Sequence, residues 1–297
     1  MWQGKCELHE TGRRDGVQQY YYNGKKHMES EIRPDITSHI IEKAKEFGAS
    51  LAGIADATAV KNSPSHLIYG KLGEYKTVGN IETGETNPWK VVWPETAQSV
   101  IVIAVVHPKE EPELDWWRDG YTGGTHGNRI LMSINAKLSK WMEKEKGITS
   151  TQLPYHIEHG GLFLKDAAVL AGLGCIGKNN MLVTPEYGPR VRLRAMLTDV
   201  KLHGTGPVDF DPCEECDMPC RRVCPQKAFQ NKIYVEKQCG LTMLPARTGV
   251  YSRHLCNVQM ERDDEKREKI AVEGQNKQEK LVKYCRRCEL ACPVGKR

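Results

Sequence analysis

The spacing of cysteines in the last third of the chain constrains this protein more than any other feature. Cys213, Cys216, Cys220 and Cys224 precede Pro225, and Cys285, Cys288 and Cys292 precede Pro293, giving C-x2-C-x3-C-x3-C-P and, after a long interval, C-x2-C-x3-C-P. Cys239 stands between the two runs, where a second four-cysteine motif would begin. A segment written this way has to fold its loops around whatever the thiols bind. Each proline stops the preceding turn from continuing as helix and re-aims its cysteine.

Three thiolates on a tight loop suit three corners of a [4Fe-4S] cubane, and the fourth, just before a proline, points to a neighbouring cluster. On that reading Cys213, Cys216, Cys220 and Cys292 hold one cluster, and Cys224, Cys239, Cys285 and Cys288 hold the other. The first run carries three residues, Asp217-Met218-Pro219, where such motifs usually have two, so Cys220 is its least regular member. Zinc uses C-x2-C pairs but has no need of a repeated C-x3-C-P. Disulfides fit poorly, because 11 cysteines is an odd number and no export signal precedes them. Cys256 is the rival to Cys239. Cys239 is preferred because Ile233-Tyr234-Val235 before it reads as the short strand that separates two such motifs. Cys6 and Cys175 read as ordinary thiols.

The rest of the composition bounds the class. A chain of 297 residues with 39% hydrophobic content can build one sizeable core and a smaller satellite. No run approaches the roughly 18 apolar residues of a spanning helix. A net charge of +5, from 43 basic against 38 acidic residues, is no nucleic-acid footprint without clustering. Arg13-Arg14 has the look of a twin-arginine signal, but the polar residues that follow supply no apolar region. A cytoplasmic protein with reduced thiols is therefore expected.

Along the chain, residues 1–34 form a polar, tyrosine-rich arm. From Asp35, taken as a helix cap, Ile36, Ile40, Ile41, Ala44 and Phe47 repeat at helical spacing up to Gly48. Strands are expected at Ser50–Ala55, Ser99–His107, Leu153–Ile157 and Val191–Thr198, and helices at Arg129–Lys146 and Leu162–Ala171. Val60 to Glu95 reads as a long surface loop. Trp116 to Gly127 is a glycine-loosened loop that can approach a bulky ligand, and it carries Tyr121 and His126. The stretch Gly172-Leu173-Gly174-Cys175-Ile176-Gly177 invites a dinucleotide reading, but it follows a helix rather than a strand. Gln259 to Lys283 is a mixed-sign charged insertion, read as a solvated helix or loop.

At Ala171-Gly-Leu-Gly-Cys-Ile-Gly-Lys-Asn179, Tyr187-Gly188, Leu197-Thr198-Asp199 and the two cysteine runs, the chain resembles the superfamily of cobalamin-dependent reductive dehalogenases and epoxyqueuosine reductases. The resemblance implies an α/β cobalamin-binding domain of nitroreductase-like fold over residues 35–205. It also implies a ferredoxin-like domain with two [4Fe-4S] clusters over 206–297, the charged insertion included. The corrinoid would be held base-off and fed with electrons by the clusters. Gly172, Gly174, Gly177, Lys178, Asn179 and Tyr187 are the positions it marks for cofactor binding. Glu158 falls where the epoxyqueuosine enzymes place a proton-donating aspartate, and Arg192 where dehalogenases keep an arginine near substrate and halide. The dehalogenase tyrosine acid is not placed by motif, and Tyr121 and His126 are the nearest loop candidates.

Reduction of a carbon–halogen or carbon–oxygen bond needs low-potential electrons and a timed proton. Clusters reach about −700 mV, and a corrinoid supplies a nucleophile no side chain offers. Glu158 would donate the proton and Arg192 would stabilise the departing anion. The sequence as given stops four residues after Pro293, short of the helical-repeat extension of epoxyqueuosine reductases. The expectation is thus a cytoplasmic reductase of a halogenated or oxygenated small molecule, with ferredoxin or flavodoxin as donor and no membrane. Two readings stand behind it: an epoxyqueuosine reductase acting on tRNA, and a non-catalytic electron carrier or corrinoid-reactivating partner.

Overall fold

A computed structural model describes residues 34–69, 93–155, 161–271 and 278–295. The N-terminal arm and Glu158 lie outside the described residues, as does most of the Val60–Glu95 loop.

The elements in chain order begin with α1 (Pro34–Glu46), β1 (Leu51–Asp56), α2 (Ala57–Lys61), α3 (Pro64–Tyr69), β2 (Ser99–Val106), β3 (Trp117–Arg118) and α4 (His126–Lys146). There follow β4 (Ser150–Gln152), α5 (Leu164–Leu170), β5 (Cys175–Ile176), β6 (Leu182–Val183) and β7 (Val191–Thr198). The cysteine-rich part adds α6 (Pro219–Arg222), α7 (Glu236–Cys239), α8 (Arg253–Glu265), β8 (Glu268–Ala271), β9 (Gln278–Val282) and α9 (Arg287–Leu290).

A four-stranded antiparallel sheet in the order β1-β2-β7-β4 carries the body. The unbroken apolar run of β2 follows from its central place, since both of its faces are covered. Val100, Val102 and Ala104 point to one side, where they meet Leu193, Ala195 and Leu197 of β7 and Ala167 and Ala168 of α5. Ile101, Ile103 and Val105 point to the other, against Ile36 and Ile40 of α1 and Leu131, Ile134 and Leu138 of α4. The valine, leucine and isoleucine side chains among these each contribute roughly 1.5–3 kcal/mol by leaving water. Thr125 caps α4, its Oγ1 accepting from Asn128 N at 3.1 Å, and Gly147 ends the helix in the left-handed region. The result is a mixed α/β fold, with residues 32–297 in one compact unit.

Several local expectations are corrected. The edge strand lies at Ser150–Gln152 instead of Leu153–Ile157, because Ser150, Thr151 and Gln152 pair with Thr198, Leu197 and Met196. Asp35 is no cap, since α1 already starts at Pro34. Ile233-Tyr234-Val235 is not a strand: Ile233 and Tyr234 both donate to the one carbonyl of Gly249, at 2.8 and 3.1 Å, and the chain turns straight into α7. The charged insertion, read as a helix or loop, holds most of α8 and an antiparallel hairpin, β8–β9, which extends to β3. Its salt bridges, Arg118–Glu279 at 2.9 Å and Lys283–Glu268 at 2.7 Å, show how alternating charge can mark a wet hairpin.

Candidate metal and substrate site

Four of the cysteines gather in one place. Cys213, Cys216, Cys220 and Cys292 line a single cavity together with Lys178, Asn179, Val183, Met218 and the Pro293-Val294 pair. The irregular first run is accommodated locally. Met218 takes a left-handed conformation with φ +57°, its N–H points to the Cys216 sulfur at 3.4 Å, and α6 starts at Pro219 with Cys220 buried. The extra residue is thus absorbed by a turn, and Cys220 keeps its place with the other three.

The body holds this cavity from the other side. Arg190 donates through Nη2 to Val294 O at 2.8 Å and through Nη1 to Cys292 O at 3.4 Å. Gly188, at φ +56°, lies so close that a Cβ there would sit 2.1 Å from Val294 O. Asn179 donates to Cys288 O at 3.5 Å and Lys178 to Glu214 O at 3.3 Å, so both residues sit against the thiol loops. Gly172 and Gly174 pack against chain: added Cβ atoms would meet Thr205 O at 2.5 Å and Val183 O at 2.1 Å. A Cβ on Gly177 would lie 2.7 Å from the Asn179 side chain, and Tyr187 packs partly buried against the core.

Of the remaining thiols, Cys256 lies close to Cys285 and Cys288. Cys288 is pushed up to about 12, first by burial and then by the neighbouring thiols of Cys256 and Cys285, by Glu289 and by the thiol of Cys224. Cys285 is raised too, by burial first, with Asp263 and Cys256 adding. Helix α8 explains the proximity. Gln259 accepts from Gln226, two residues past Cys224, at 2.9 Å, and Asp263 accepts from Cys285 N at 2.8 Å. Cys256 lies one turn earlier on the same face. Cys239 is buried among Ile68, Tyr234, Leu244, Ala246 and Tyr251, a cluster against which Cys256 also packs. In the first set, Cys220 is pushed up to about 11 by burial, then by Cys292, Cys213 and Cys216. Cys175, read as an ordinary thiol, is also raised to about 11 by burial, with Cys213 and Cys292 contributing, so it sits beside the first set. No spacing rule could have found it. Buried neutral thiols of this kind release protons when a metal takes them as thiolates, and all-thiolate donor sets suit iron–sulfur clusters.

Between the thiols and the sheet lies a charged network. Asp115 takes the Nδ1 of fully buried His107 at 2.8 Å, Arg192 Nε at 2.8 Å and Arg286 Nη1 at 2.8 Å. Arg192 Nη2 reaches Glu289 Oε2 at 2.9 Å, and Arg286 Nη2 reaches both Glu289 Oε1 at 2.5 Å and His107 O at 2.6 Å. Burial would raise Asp115, but the bond from His107 and the charges of Arg192 and Arg286 hold it below the ordinary carboxylate range. Burial would lower Arg192, but Glu289 and Asp115 raise it. Because its third donor goes to Val191 O at 2.9 Å, Arg192 is committed to this network, which ties the β2 and β7 ends to the Cys285–Cys292 loop.

Tyr121 and His126 do meet, with 3.4 Å between the phenol oxygen and Nδ1. The Tyr121 ring lies between the guanidinium groups of Arg118 and Arg129, at 4.8 and 4.4 Å. No motif marks Tyr155, yet its phenol lies within electrostatic reach of Arg192, Arg194 and Arg253. Arg194 is fixed by Asn128 Oδ1 at 3.1 Å and Leu153 O at 3.2 Å, two residues before that tyrosine.

An α/β body that clamps two groups of convergent cysteines defines the class of this protein. No protein-family model matches the chain. The epoxyqueuosine reductase of Lactococcus garvieae is 29% identical over 207 residues, 68% of this chain and 53% of that protein. The chain spans about half the length of the curated relatives it matches. A crystal structure of an epoxyqueuosine reductase with an epoxyqueuosine-modified tRNA stem loop superposes with TM-score 0.56 at 20% identity, covering 88% of this chain and 65% of the other. A catabolic reductive dehalogenase in complex with 3-bromo-4-hydroxybenzoic acid gives 0.55 at 17% identity, covering 87% and 31%. The curated relatives are thus epoxyqueuosine reductases, and the solved structures of like fold include both epoxyqueuosine reductases and reductive dehalogenases. Among the described residues no helix is long and apolar enough to cross a membrane.

Proposed function

We propose that this chain is the core of a reductase in which two [4Fe-4S] clusters feed electrons to a corrinoid. The observation that carries it is the convergence of Cys213, Cys216 and Cys220 with the sequence-distant Cys292 on one cavity. The second cluster takes Cys224, Cys256, Cys285 and Cys288, with Cys256 in place of Cys239. Residues to about 205 serve as the nitroreductase-like corrinoid domain and 206–297 as the ferredoxin-like domain. When bound, the corrinoid supplies a strongly reducing metal centre that side chains cannot provide.

Around it the chain's own groups hold charge and protons. Tyr155, just after β4, and Glu158, three residues further along the sequence, can each deliver a proton to the reacting oxygen or carbon. Arg194 and Arg253, both within electrostatic reach of Tyr155, favour a developing anion better than Arg192, whose donors are spent on Asp115 and Glu289.

The named relatives reverse the substrate order expected from sequence. An epoxide carried by a tRNA nucleoside becomes the first reading, reduced with two electrons and two protons to an alkene and water. Dehalogenation of a small organic molecule is second, favoured by the equally good fold likeness to a dehalogenase. Protein reconstituted without oxygen with iron, sulfide and cobalamin, given epoxyqueuosine-containing tRNA and a chemical reductant, is expected to yield the deoxygenated nucleoside on mass analysis. Halide release from 3-bromo-4-hydroxybenzoic acid with no change in the RNA would select the second reading. A protein that takes up neither iron nor corrinoid would end both.

A further inference from the structure

The second thiol group approaches the surface at two points. Around Cys224 an open depression of about 270 Å³ is lined by Arg221, Arg222, Lys227, Phe229 and Gln230. Three of these residues are cations and none is a carboxylate. Arg221 is fixed in place: its Nε donates to Lys178 O at 2.7 Å, Nη2 donates to Ala246 O at 3.2 Å, and the guanidinium lies 5.9 Å from the Phe229 ring centre. Arg222 and Lys227 are exposed. The Arg222–Asp217 pair, at 2.8 Å, is open to water on both sides and neutralises little. Val223, 39% exposed, adds an apolar contact beside the thiol. The other approach, at exposed Cys285, is of mixed sign: its N–H goes to Asp263 at 2.8 Å, Arg287 lies close to the thiol, and Asp264, next along α8, pairs with Arg267.

We propose that the depression at Cys224 is the docking surface for an acidic one-electron carrier protein. The inference rests on the reading of Cys224 as a cluster ligand. In the step the carrier loses one electron and the cluster gains it, with no proton or group transferred. A negatively charged carrier is drawn to Arg221, Arg222 and Lys227, which places its redox centre over Cys224. Such steering raises encounter rates and fades with salt.

The test follows the visible absorbance of the reconstituted protein during reduction by a pre-reduced acidic ferredoxin and, separately, by dithionite. The double variant Arg222→Glu/Lys227→Glu is expected to slow reduction by ferredoxin roughly tenfold or more and to flatten its salt dependence, with the dithionite rate unchanged. Asp264→Lys, on the opposite approach, is expected to leave the ferredoxin rate unchanged. An unaltered ferredoxin rate in the double variant, or a marked change in Asp264→Lys alone, overturns the surface while normal dithionite bleaching leaves the cluster reading intact. Absence of any dithionite-bleachable absorbance sinks the cluster reading and the docking surface with it.

Discussion

The two thiol groups show how one motif type can serve two settings. The first, Cys213, Cys216, Cys220 and Cys292, is closed in by Lys178, Asn179, Met218 and Val294 and clamped to the body through Gly188 and Arg190. The second, around Cys288, is supplied by α8 and by loops that reach water at Cys224 and Cys285. Enclosure keeps the first group dry and close to the body, whereas the second stays open to water. The difference comes from neighbours, since the two runs read almost alike as spacing.

The sharpest break of that comparison is Cys256→Ser against Cys239→Ser. Reconstituted protein should carry about eight irons. Cys256→Ser is expected to lose about half of them, and Cys239→Ser to keep them, on iron and sulfide analysis; the opposite pattern would restore Cys239 as ligand.

Next in size is Glu289→Gln. Removing a carboxylate that is 2% exposed and faces two arginines should cost about 3–5 kcal/mol in denaturant unfolding, and should loosen the second group more than the first. Gly188→Ala is expected to cost less, about 1–3 kcal/mol, and to act on the first group, because the new methyl meets Val294 O. Iron loss confined to the second group in this variant would contradict the clamp. The smallest effect is on acid stability. Asp115 is held below its ordinary value of 3.8, so its contribution is full above that pH and is lost as pH falls through the folded value. Asp115→Asn should therefore flatten the unfolding profile in that acid range.

Much of the body was legible from periodicity. The β2 and β7 strands fall where the apolar runs placed them, and α4 begins three residues early because Thr125 provides the cap. The cysteine spacing marked out the region where thiols converge, but spacing alone does not choose between Cys239 and Cys256. That choice turned on the supposed strand at Ile233–Val235, and those residues instead share the carbonyl of Gly249 before α7. The ion pairs of Arg192 were likewise out of reach of the sequence, since both its carboxylate partners, Asp115 and Glu289, are distant along the chain.

The sequence by itself determined which residues could ligate, which strand lies at the centre and where chain direction must break, because those depend on side-chain chemistry and local period. Only the tertiary structure decided which thiols share a site, which arginine is already spent on a carboxylate, and which thiol faces water. Those are questions of distance between segments far apart along the chain, and a sum over packed contacts, with no local signal, sets that distance.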